Sequence, residues 1–353
     1  MSDKVFLKNG TEHIRNLIKT AIENGENTVT VTGNYEIESE IRIPSNFTLV
    51  LDGCHLIMAD GVYSNMFVNM NHNTPIGRTI EGKDKNIIII GKNTPILDGG
   101  NYNGLSEKNA RKDGLPPIWK NQLIMFANVD NFEITGITCH NQRHWAIDCV
   151  YCTNGHIHDI DFKSNDIWVD EDGNEHHYLE RKKYNQTLVK NADGVDVRQG
   201  CHDILIENIT GFCEDDSVAI TAIRGNIEQT FEVEGMSSEI CNITVKNVRT
   251  SAFCSNVRLL ALGGAKLHDV LVDGVYDTSK DSPYMDKGLY GVRIGDIIKY
   301  SANRFANADE VYNITIRNVV SRSSYGVISL LGEMTNVKVE NYEALEGTPE
   351  IER

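Results

Sequence analysis

The residues best suited to chemistry lie between residues 191 and 221, where two short apolar runs each begin on acidic side chains. Asp193 opens the first run, and Asp215 and Asp216 open the second, so that Asp193 and Asp216 are 23 residues apart. Carboxyl groups that lie close together cannot all ionise independently, and the pKa of at least one is raised toward the range of a general acid. An ionised neighbour can act as a general base, so the spacing predicts acid–base chemistry if the fold brings the three side chains together.

The spacing of the acidic residues matches a repeat that runs along the chain. Each unit places apolar side chains at period two, then a turn, then another apolar residue. Versions of the unit occupy residues 131–137, 156–162, 202–209, 242–248, 268–275, 313–319 and 336–341. Some adjacent units are about 23 residues apart, which is typical of stacked repeat proteins. One coil of such a stack returns the chain to the same place, so Asp193 and Asp216 are expected one above the other.

A unit of this length that holds three short strands predicts an all-β protein, a single-stranded right-handed parallel β-helix. The blades of a β-propeller would need about twice the period, and the Leu and Asn pattern of a leucine-rich repeat is absent. We expect one domain over residues 1–353, because a solenoid grows along one axis. Insertions near residues 165–190, 223–238 and 279–310 leave the repeat intact, so they are predicted to be loops that border the binding face.

The N-terminal region differs from the repeats. Residues 9–24 carry apolar side chains at helical spacing, with Asn9 as an expected cap and Glu12 three residues further on. A helix laid across the open apolar end of the stack would cover its first coil, so residues 1–27 are predicted to form an N-terminal cap. From Thr28 onward the pattern predicts short strands, the first of them at residues 28–31, 47–51, 87–90 and 96–98.

A second short strand in several units carries the residues that would form a binding surface. Its Val or Ile points into the stack, so the flanking positions lie on the outer face, because strand side chains alternate between faces. One outer file is predicted to contain Trp145, Asp193, Asp216, Ser255, Tyr290 and Tyr325. The neighbouring, solvent-facing file is predicted to contain Asp148, Asp196, Ala219, Arg258 and Arg293. Together they predict a groove with carboxylates at its centre, guanidinium groups below them and aromatic rings at both ends.

A groove of this composition suits a sugar chain. Aromatic rings can stack on pyranose faces, carboxylates can supply acid and base, and arginines can bind a carboxylate or sulfate. A structural interpretation stays open for each group. An Asp before Gly or Ser is often only a turn residue, and the Trp and Tyr rings could simply cover the sheet. Arg258 and Arg293 could equally pair with Asp196 and its neighbours.

Composition narrows the choice of partners. A net charge of −16 over 353 residues argues against a nucleic acid or an anionic membrane, because both attract basic surfaces. The apolar runs are of strand length, and residues 1–30 lack the continuous apolar core of a signal peptide, so we expect a cytoplasmic protein, or a secreted one if a leader has been removed. Cys149 and Cys152 have no second Cys or His pair at zinc spacing, and the eight cysteines are expected to be buried and reduced.

The acidic runs resemble motifs of the polygalacturonases and their relatives in glycoside hydrolase family 28. That family carries Asn-Thr-Asp, then Gly-Asp-Asp about one coil later, on a pectin-lyase-like right-handed parallel β-helix. Here residues 191–193 read Asn-Ala-Asp, and residues 214–216 read Glu-Asp-Asp. The two motifs at this spacing are specific together and weak separately.

The resemblance implies roles for the residues that match. Asp215 would be the general acid, and Asp193 with Asp216 would position and deprotonate the attacking water, with inversion at the anomeric carbon. Asn191 would orient this cluster or the substrate. The resemblance implies no metal and no organic cofactor.

Two further family motifs are altered. Residues 254–256 read Cys-Ser-Asn in place of Gly-His-Gly, so Ser255 stands where the family has histidine. Residues 293–295 read Arg-Ile-Gly in place of Arg-Ile-Lys, so Gly295 stands where the family has lysine. The resemblance implies that this histidine and this lysine belong to the family's galacturonate subsite. The expected substrate is an α-linked oligosaccharide that contains a uronic acid or a related sugar, and a neutral sugar also fits. The predicted substrate-binding residues are Asn191, Asp196, Arg258, Arg293, Ser255, Tyr290 and Trp145.

Two other functions fit the same pattern. A β-helix polysaccharide lyase would bind calcium through acidic residues and use an arginine to abstract a proton. A glycan-binding β-helix without catalysis would keep the groove and lack turnover. Calcium dependence with an unsaturated product would identify the lyase, and binding that survives Asp215→Asn without turnover would identify the binding protein.

Overall fold

A computed structural model of the chain describes residues 5–100, 118–142, 144–164, 167–169, 175–177, 192–282, 285–300 and 302–352. Its first element is helix α1 (Gly10–Glu23), which confirms the predicted helix. The apolar face of α1 buries Ile14, Ile18 and Ala21 against the first coil. This burial removes the open apolar end of the stack from water.

The start of α1 differs from the prediction in one respect. Asn9 occupies the position before the helix with φ 65°, and its side chain makes no capping hydrogen bond. Glu38 replaces it, because its carboxylate accepts the backbone N–H of Asn9 at 2.7 Å and that of Thr11 at 3.4 Å. A carboxylate at the N-terminus of a helix also interacts favourably with the helix dipole.

The remaining regular structure of the described residues consists of strands, one short α-helix and 3-10 helices at Ile76–Arg78, Ile118–Lys120 and Ser279–Asp281. Helix α2 (Asn226–Thr230) lies in the 223–238 insertion. The strands, numbered along the chain, are β1 (Thr28–Val31), β2 (Asn34–Ile37), β3 (Ile41–Ile43), β4 (Phe47–Asp52), β5 (His55–Met58), β6 (Phe67–Asn69), β7 (Asp84–Lys92), β8 (Ile96–Asp98), β9 (Ile124–Ala127), β10 (Val129–Thr135), β11 (Thr138–His140), β12 (Trp145–Val150), β13 (Thr153–Lys163), β14 (Ile167–Val169), β15 (Glu175–His177), β16 (Asp193–Arg198), β17 (His202–Cys213), β18 (Val218–Ala222), β19 (Ile240–Ala252), β20 (Ser255–Ala261), β21 (Leu267–Asp277), β22 (Tyr290–Ile294), β23 (Val311–Ser321), β24 (Gly326–Leu330), β25 (Thr335–Ala344) and β26 (Ile351–Glu352).

The strands stack in parallel, one coil upon the next. Over the described ranges, ten strands form what we call the site sheet, in the order β3, β6, β9, β12, β16, β18, β20, β22, β24, β26. Fourteen others form the long sheet, whose main path runs β1, β4, β7, β10, β13, β17, β19, β21, β23, β25. Consecutive neighbours in both sheets are parallel, and only β14 and β15 pair antiparallel within the described part of the chain. The predicted right-handed parallel β-helix is confirmed.

The interior is a stack of aliphatic side chains, one from each coil. In the site sheet, one such column comprises Ile147, Val195, Val218, Val257 and Val292, all 0% exposed. Each fully buried side chain of this size contributes roughly 1.5–3 kcal/mol. Because these residues point inward, their neighbours along each strand must point outward. This alternation positions the candidate site.

The turns between strands carry ladders of asparagine. Asn46, Asn86 and Asn131 all have positive φ angles, a conformation that Asn tolerates well. The Asn86 amide donates to the Asn46 side chain at 2.6 Å, and the Asn131 amide donates to Asn86 at 2.7 Å. These side chains therefore tie one coil to the next at the corners of the stack.

The cysteines are free, as the sequence predicted. All eight lack disulfides, six of them are buried, and Cys241 and Cys254 are partly exposed. Within the described part of the chain, no helix combines the length and the apolar character that a membrane crossing requires.

Candidate active site

Adjacent strands of the site sheet align the predicted residues in two files. Trp145 of β12 lies beside Asp193 of β16, and Ser255 of β20 lies beside Tyr290 of β22. The second file follows the register Asp148, Asp196, Ala219, Arg258 and Arg293. Sequence periodicity therefore placed these positions in the correct columns.

The three candidate catalytic carboxyl groups meet where β16 and β18 begin. Asp193 Oδ1 accepts the backbone N–H of Asp216 at 3.0 Å, which joins the two coils at this point. Gly194 permits the close approach, because a Cβ atom there would lie 2.4 Å from the Ser217 carbonyl oxygen. Asp193 and Asp216 are 6% and 3% exposed, while Asp215 is partly exposed. Asp215 is thus the member of the cluster most accessible to a ligand.

Burial and mutual repulsion change the acidity of this cluster. Burial raises the pKa of Asp193 well above its usual range, and the carboxylates of Asp196 and Asp215 raise it further. Burial also raises the pKa of Asp216 to about 6, although the Arg258 guanidinium opposes this shift. The expectation that the cluster raises at least one carboxyl pKa is therefore met at two positions.

Arg258 and Arg293 converge on one buried carboxylate, Asp296. Asp296 accepts a hydrogen bond from Arg293 Nη2 at 2.8 Å and a short one from Arg258 Nη2. Tyr300 Oη donates to Asp296 at 2.8 Å and accepts from Arg258 Nη2 at 2.9 Å. Arg258 also reaches Asp216 Oδ2 at 3.5 Å. The sequence left open a pairing of these arginines with Asp196, but in the structure their main partner is Asp296.

A second buried charge network lies around Arg198. Its guanidinium donates to Asp196 Oδ1 at 3.0 Å and to Glu228 Oε1 of helix α2 at 2.7 Å. Asp148 is 0% exposed, and neither of its carboxylate oxygens has a hydrogen-bond partner among the residues that the structure describes. Burial raises the pKa of Asp148 well above its usual range, even though Arg198 opposes this shift.

These groups surround a cavity of about 770 Å³. Its lining includes the carboxylates, the arginines and apolar residues from two insertions. The lining residues are Trp145, Asp193, Asp196, Arg198, Asp215, Asp216, Ala219, Thr221, Ile223, Arg224, Gly225, Ile227, Glu228, Gln229, Cys254, Arg258, Leu260, Leu289, Tyr290, Arg293, Asp296, Ile297, Ile298 and Tyr300. A cavity of this size can hold a small oligosaccharide.

Most of the predicted site residues meet in this cavity. The structure brings together Asp193, Asp215, Asp216, Asp196, Arg258, Arg293, Tyr290 and Trp145. Ser255 is 0% exposed and does not line the cavity, so its side chain is not placed to contact a substrate there. Asn191 lies outside the described residues, as does most of the 165–190 insertion.

Three expectations about exposure and register are wrong. The second file was expected to face solvent, yet all five of its residues are buried, and Asp148 is fully buried beside Asp196 and Arg198. The five residues are Asp148, Asp196, Ala219, Arg258 and Arg293. Trp145 is only 2% exposed, because the Arg198 guanidinium lies over its ring at 4.3 Å. Tyr325 does not continue the aromatic file, because Gly326 is the partner of Tyr290.

Four of the cavity residues that the sequence did not predict hold its two buried charge networks. Arg198 follows Asp196 by two positions on the same strand, so strand alternation could have placed it on the same face. Glu228, Asp296 and Tyr300 come from the 223–238 and 279–310 insertions, where no repeat fixes a register. Only their location in loops that border the site could have suggested them.

One group in the cavity has a geometry that could hold a metal ion. Ligand atoms of Asp215, Asp216 and Cys254 lie within 4.8 Å of one another. Burial raises the pKa of the Cys254 thiol well above its usual range, which disfavours the thiolate that a metal requires. A second group, Glu133, His156 and His158, lies on the long sheet away from the cavity.

The chain forms a parallel β-helix that gathers three carboxyl groups in one cavity, an arrangement that acid–base cleavage of a glycosidic bond requires. The family described as "Glycosyl hydrolases family 28" matches residues 26–237, and the chain belongs to this family. No curated protein matches the sequence.

Solved structures share the fold at low identity. A double-mutant tailspike protein of E. coli bacteriophage HK620, in complex with a pentasaccharide, is 15% identical with a TM-score of 0.59. The match covers 94% of this chain and 53% of that one, so the chain spans about half the length of the tailspike. A hyperthermoactive exopolygalacturonase from Thermotoga maritima is 13% identical with a TM-score of 0.56, covering 94% of this chain and 82% of that one.

A third similar structure is a 1,3-α-1,4-β-D-galactose-4-sulfate-3,6-anhydro-D-galactose-2-sulfate 4 galactohydrolase. It is 13% identical with a TM-score of 0.60, and the match covers 99% of this chain and 88% of that one. At these identities the likeness extends to the β-helix fold alone.

Proposed function

We propose that the protein hydrolyses a glycosidic bond of an oligosaccharide with inversion at the anomeric carbon. The observation that carries this proposal is the convergence of Asp193, Asp215 and Asp216 in one cavity. Glycoside hydrolysis needs one protonated carboxyl group for the leaving oxygen and one ionised carboxylate for the attacking water. In this cluster Asp216 acts as the base and Asp193, whose pKa burial raises well above its usual range, orients the water, while Asp215 donates the proton.

The exposure of the three side chains supports a division of roles. Asp215 is the partly exposed member and can reach the leaving oxygen of a sugar in the cavity. Asp193 and Asp216 lie deeper and are joined through the Asp216 N–H, which suits a pair that holds one water between them. Arg258, 3.5 Å from Asp216 Oδ2, favours the ionised form of Asp216 that a base requires.

The stereochemical outcome is the part of the proposal that needs its own measurement. Carboxylate atoms of Asp215 and Asp216 lie within 4.8 Å of each other, nearer than the roughly 6.5–9.5 Å that separates the two carboxyl groups of most inverting enzymes. We favour inversion because three carboxyl groups allow two to bind water while the third donates a proton. Proton NMR of the first-formed product distinguishes the two, because inversion gives the anomer opposite to that of the substrate.

A panel of pectic, other uronic and neutral oligosaccharides tests the reaction class. Wild type, Asp215→Asn and the control Asp281→Asn, at an exposed position outside the cavity, are incubated in EDTA. Reducing ends and ultraviolet absorbance are followed together. The proposal predicts new reducing ends without absorbance in wild type and the control, and none in Asp215→Asn.

Other outcomes of this panel identify the competing functions. Absorbance that appears only with calcium would indicate a lyase, because elimination leaves an unsaturated product and calcium would bind the acidic residues. Oligosaccharide binding by wild type without any product would indicate a glycan-binding β-helix. Either result would overturn the proposed hydrolysis.

A further inference from the structure

In the cavity wall beside the catalytic carboxylates, a carboxylate of the chain occupies the position that the carboxylate of an acidic sugar would take. Arg258 and Arg293 are neighbours in the register of β20 and β22, and both guanidinium groups point at the same position. Two guanidinium groups arranged in this way form a site for one carboxylate. Asp296 of the chain itself fills that site.

Asp296 is held there by more than the two arginines. Its Oδ1 accepts the backbone N–H groups of Ile297 and Ile298 at 2.7 and 3.1 Å, in addition to Arg293. Its Oδ2 accepts the Tyr300 hydroxyl at 2.8 Å as well as Arg258. The residue is 4% exposed, and its carboxylate oxygens already accept five hydrogen bonds. A substrate carboxylate could use these five donors only by displacing Asp296. The Nε atoms of Arg258 and Arg293 have no hydrogen-bond partner among the described residues, but they are buried away from the cavity surface.

The charge of the cavity acts in the same direction. Among the described lining residues, six are carboxylic and four are arginines, so the wall is not a cationic surface. Burial opposes the ionisation of Asp296, but Arg258, Tyr300 and Arg293 together hold its pKa below its usual value. Asp296 therefore stays negative, and a second negative group next to it would be repelled in a site of low dielectric.

From these contacts we infer that Asp296 is a specificity-determining residue, an internal carboxylate that makes the subsite formed by Arg258 and Arg293 select a neutral sugar over a uronic acid. The inference rests on the proposed function, because it takes the cavity as the binding site of the substrate oligosaccharide. Specificity of this kind comes from a repulsive element against the competitor as well as from contacts to the favoured ligand. Asp296 is not a catalytic residue in this account.

A matched pair of ligands isolates the effect. Trigalacturonate and its carboxyl-reduced counterpart share length and linkage and differ only at C6. Binding of each is measured by calorimetry in proteins that all carry Asp215→Asn, so that no ligand is consumed. The variants are Asp296→Ala, which frees both arginines, and Asp296→Asn, which removes the charge but keeps the volume.

The expected result is a change in preference. Without a change at residue 296, the protein binds the reduced trisaccharide more tightly than trigalacturonate. Asp296→Ala gains about tenfold or more in affinity for trigalacturonate, the equivalent of one hydrogen-bonded charge pair, while affinity for the reduced trisaccharide changes little. Asp296→Asn shifts the ratio in the same direction by less.

The control is Asp273→Ala, which frees Arg317 on the long sheet, 2.7 Å from its partner and outside the cavity. This variant should not gain affinity for trigalacturonate. Circular dichroism establishes that each variant is folded, and Asp296→Asn keeps the test open if Asp296→Ala does not fold.

Two results would overturn the inference. One is a tighter binding of trigalacturonate than of the reduced trisaccharide when Asp296 is present. The other is an unchanged affinity ratio in a folded Asp296 variant. Neither depends on turnover, so failure of the proposed hydrolysis, seen as absent reducing ends in a protein with Asp215, remains distinguishable from failure of this inference.

Discussion

Asp148 offers a test of the electrostatics beneath the site. It is 0% exposed and has no hydrogen-bond partner among the described residues. Asp148, Asp196 and Glu228 share one guanidinium, that of Arg198, so the carboxylates outnumber the positive charge. Replacing Asp148 by Asn keeps the shape of the side chain and removes the carboxyl group that must bind a proton to avoid this repulsion.

The sign and size of the effect follow from linkage. The folded state raises the pKa of Asp148, so it holds a proton that the unfolded state releases at about pH 4. Wild-type stability therefore falls as pH rises above the unfolded value, by up to about 1.4 kcal/mol per pH unit, until the raised pKa is passed. Asn has no such proton. We expect Asp148→Asn to equal wild type near pH 4 and to exceed it by roughly 1–3 kcal/mol at pH 7.

Urea unfolding between pH 4 and pH 8, followed by circular dichroism, measures this difference. The control is Asp273→Asn, because hydrogen bonds from Arg317 and Asn318 lower the pKa of Asp273. Its contribution to stability is present above the unfolded pKa and is lost as pH falls, so the control variant should be less stable than wild type at neutral pH. If Asp148→Asn were destabilised by the same amount at every pH, the buried, unpaired description of Asp148 would be wrong.

Three further predictions concern the site and its support. Activity should fall as pH drops below about 6, because Asp216, whose pKa is raised to about 6, must be ionised to act as a base. If kcat/KM instead fell only near pH 4, Asp216 would not have this role. Arg198→Met should cost about 3–5 kcal/mol in urea unfolding, because it leaves the buried carboxylates of Asp196 and Glu228 uncompensated, and a loss under 1 kcal/mol would mean that the network is solvated. Ile14→Ala should cost about 2–5 kcal/mol in the same assay, because Ile14 is 0% exposed beneath the N-terminal helix, and an unchanged unfolding midpoint would show that the helix does not stabilise the first coil.

Periodicity was sufficient to predict the fold and, except at Tyr325, the columns of the site. The Val or Ile of each unit fixed which neighbours face outward, and this placed Asp193, Arg258 and Arg293 correctly. The repeat interval placed Asp216 next to Asp193 in space. These predictions held because one stacking rule determines both the interior and the register of every coil.

Features outside the repeat could not be predicted in the same way. Asp296 and Glu228 come from insertions whose conformation depends on tertiary contacts, and no spacing in the sequence relates them to Arg258 or Arg198. Outward orientation also did not mean exposure. Helix α2 and its flanking residues pack over the site sheet, which is why Trp145 is buried although it lies on the outer face.

The most direct test of hydrolysis by the carboxylate cluster is whether an oxygen atom from water enters the product. Wild type and Asp215→Asn are incubated in ¹⁸O-labelled water with the oligosaccharide that the panel identifies. The masses of the products are then measured by mass spectrometry. Hydrolysis by the cluster predicts one ¹⁸O atom at the new reducing end in wild type and no labelled product with Asp215→Asn. Cleavage without ¹⁸O in the product, or undiminished labelling in Asp215→Asn, would contradict hydrolysis by this carboxylate cluster.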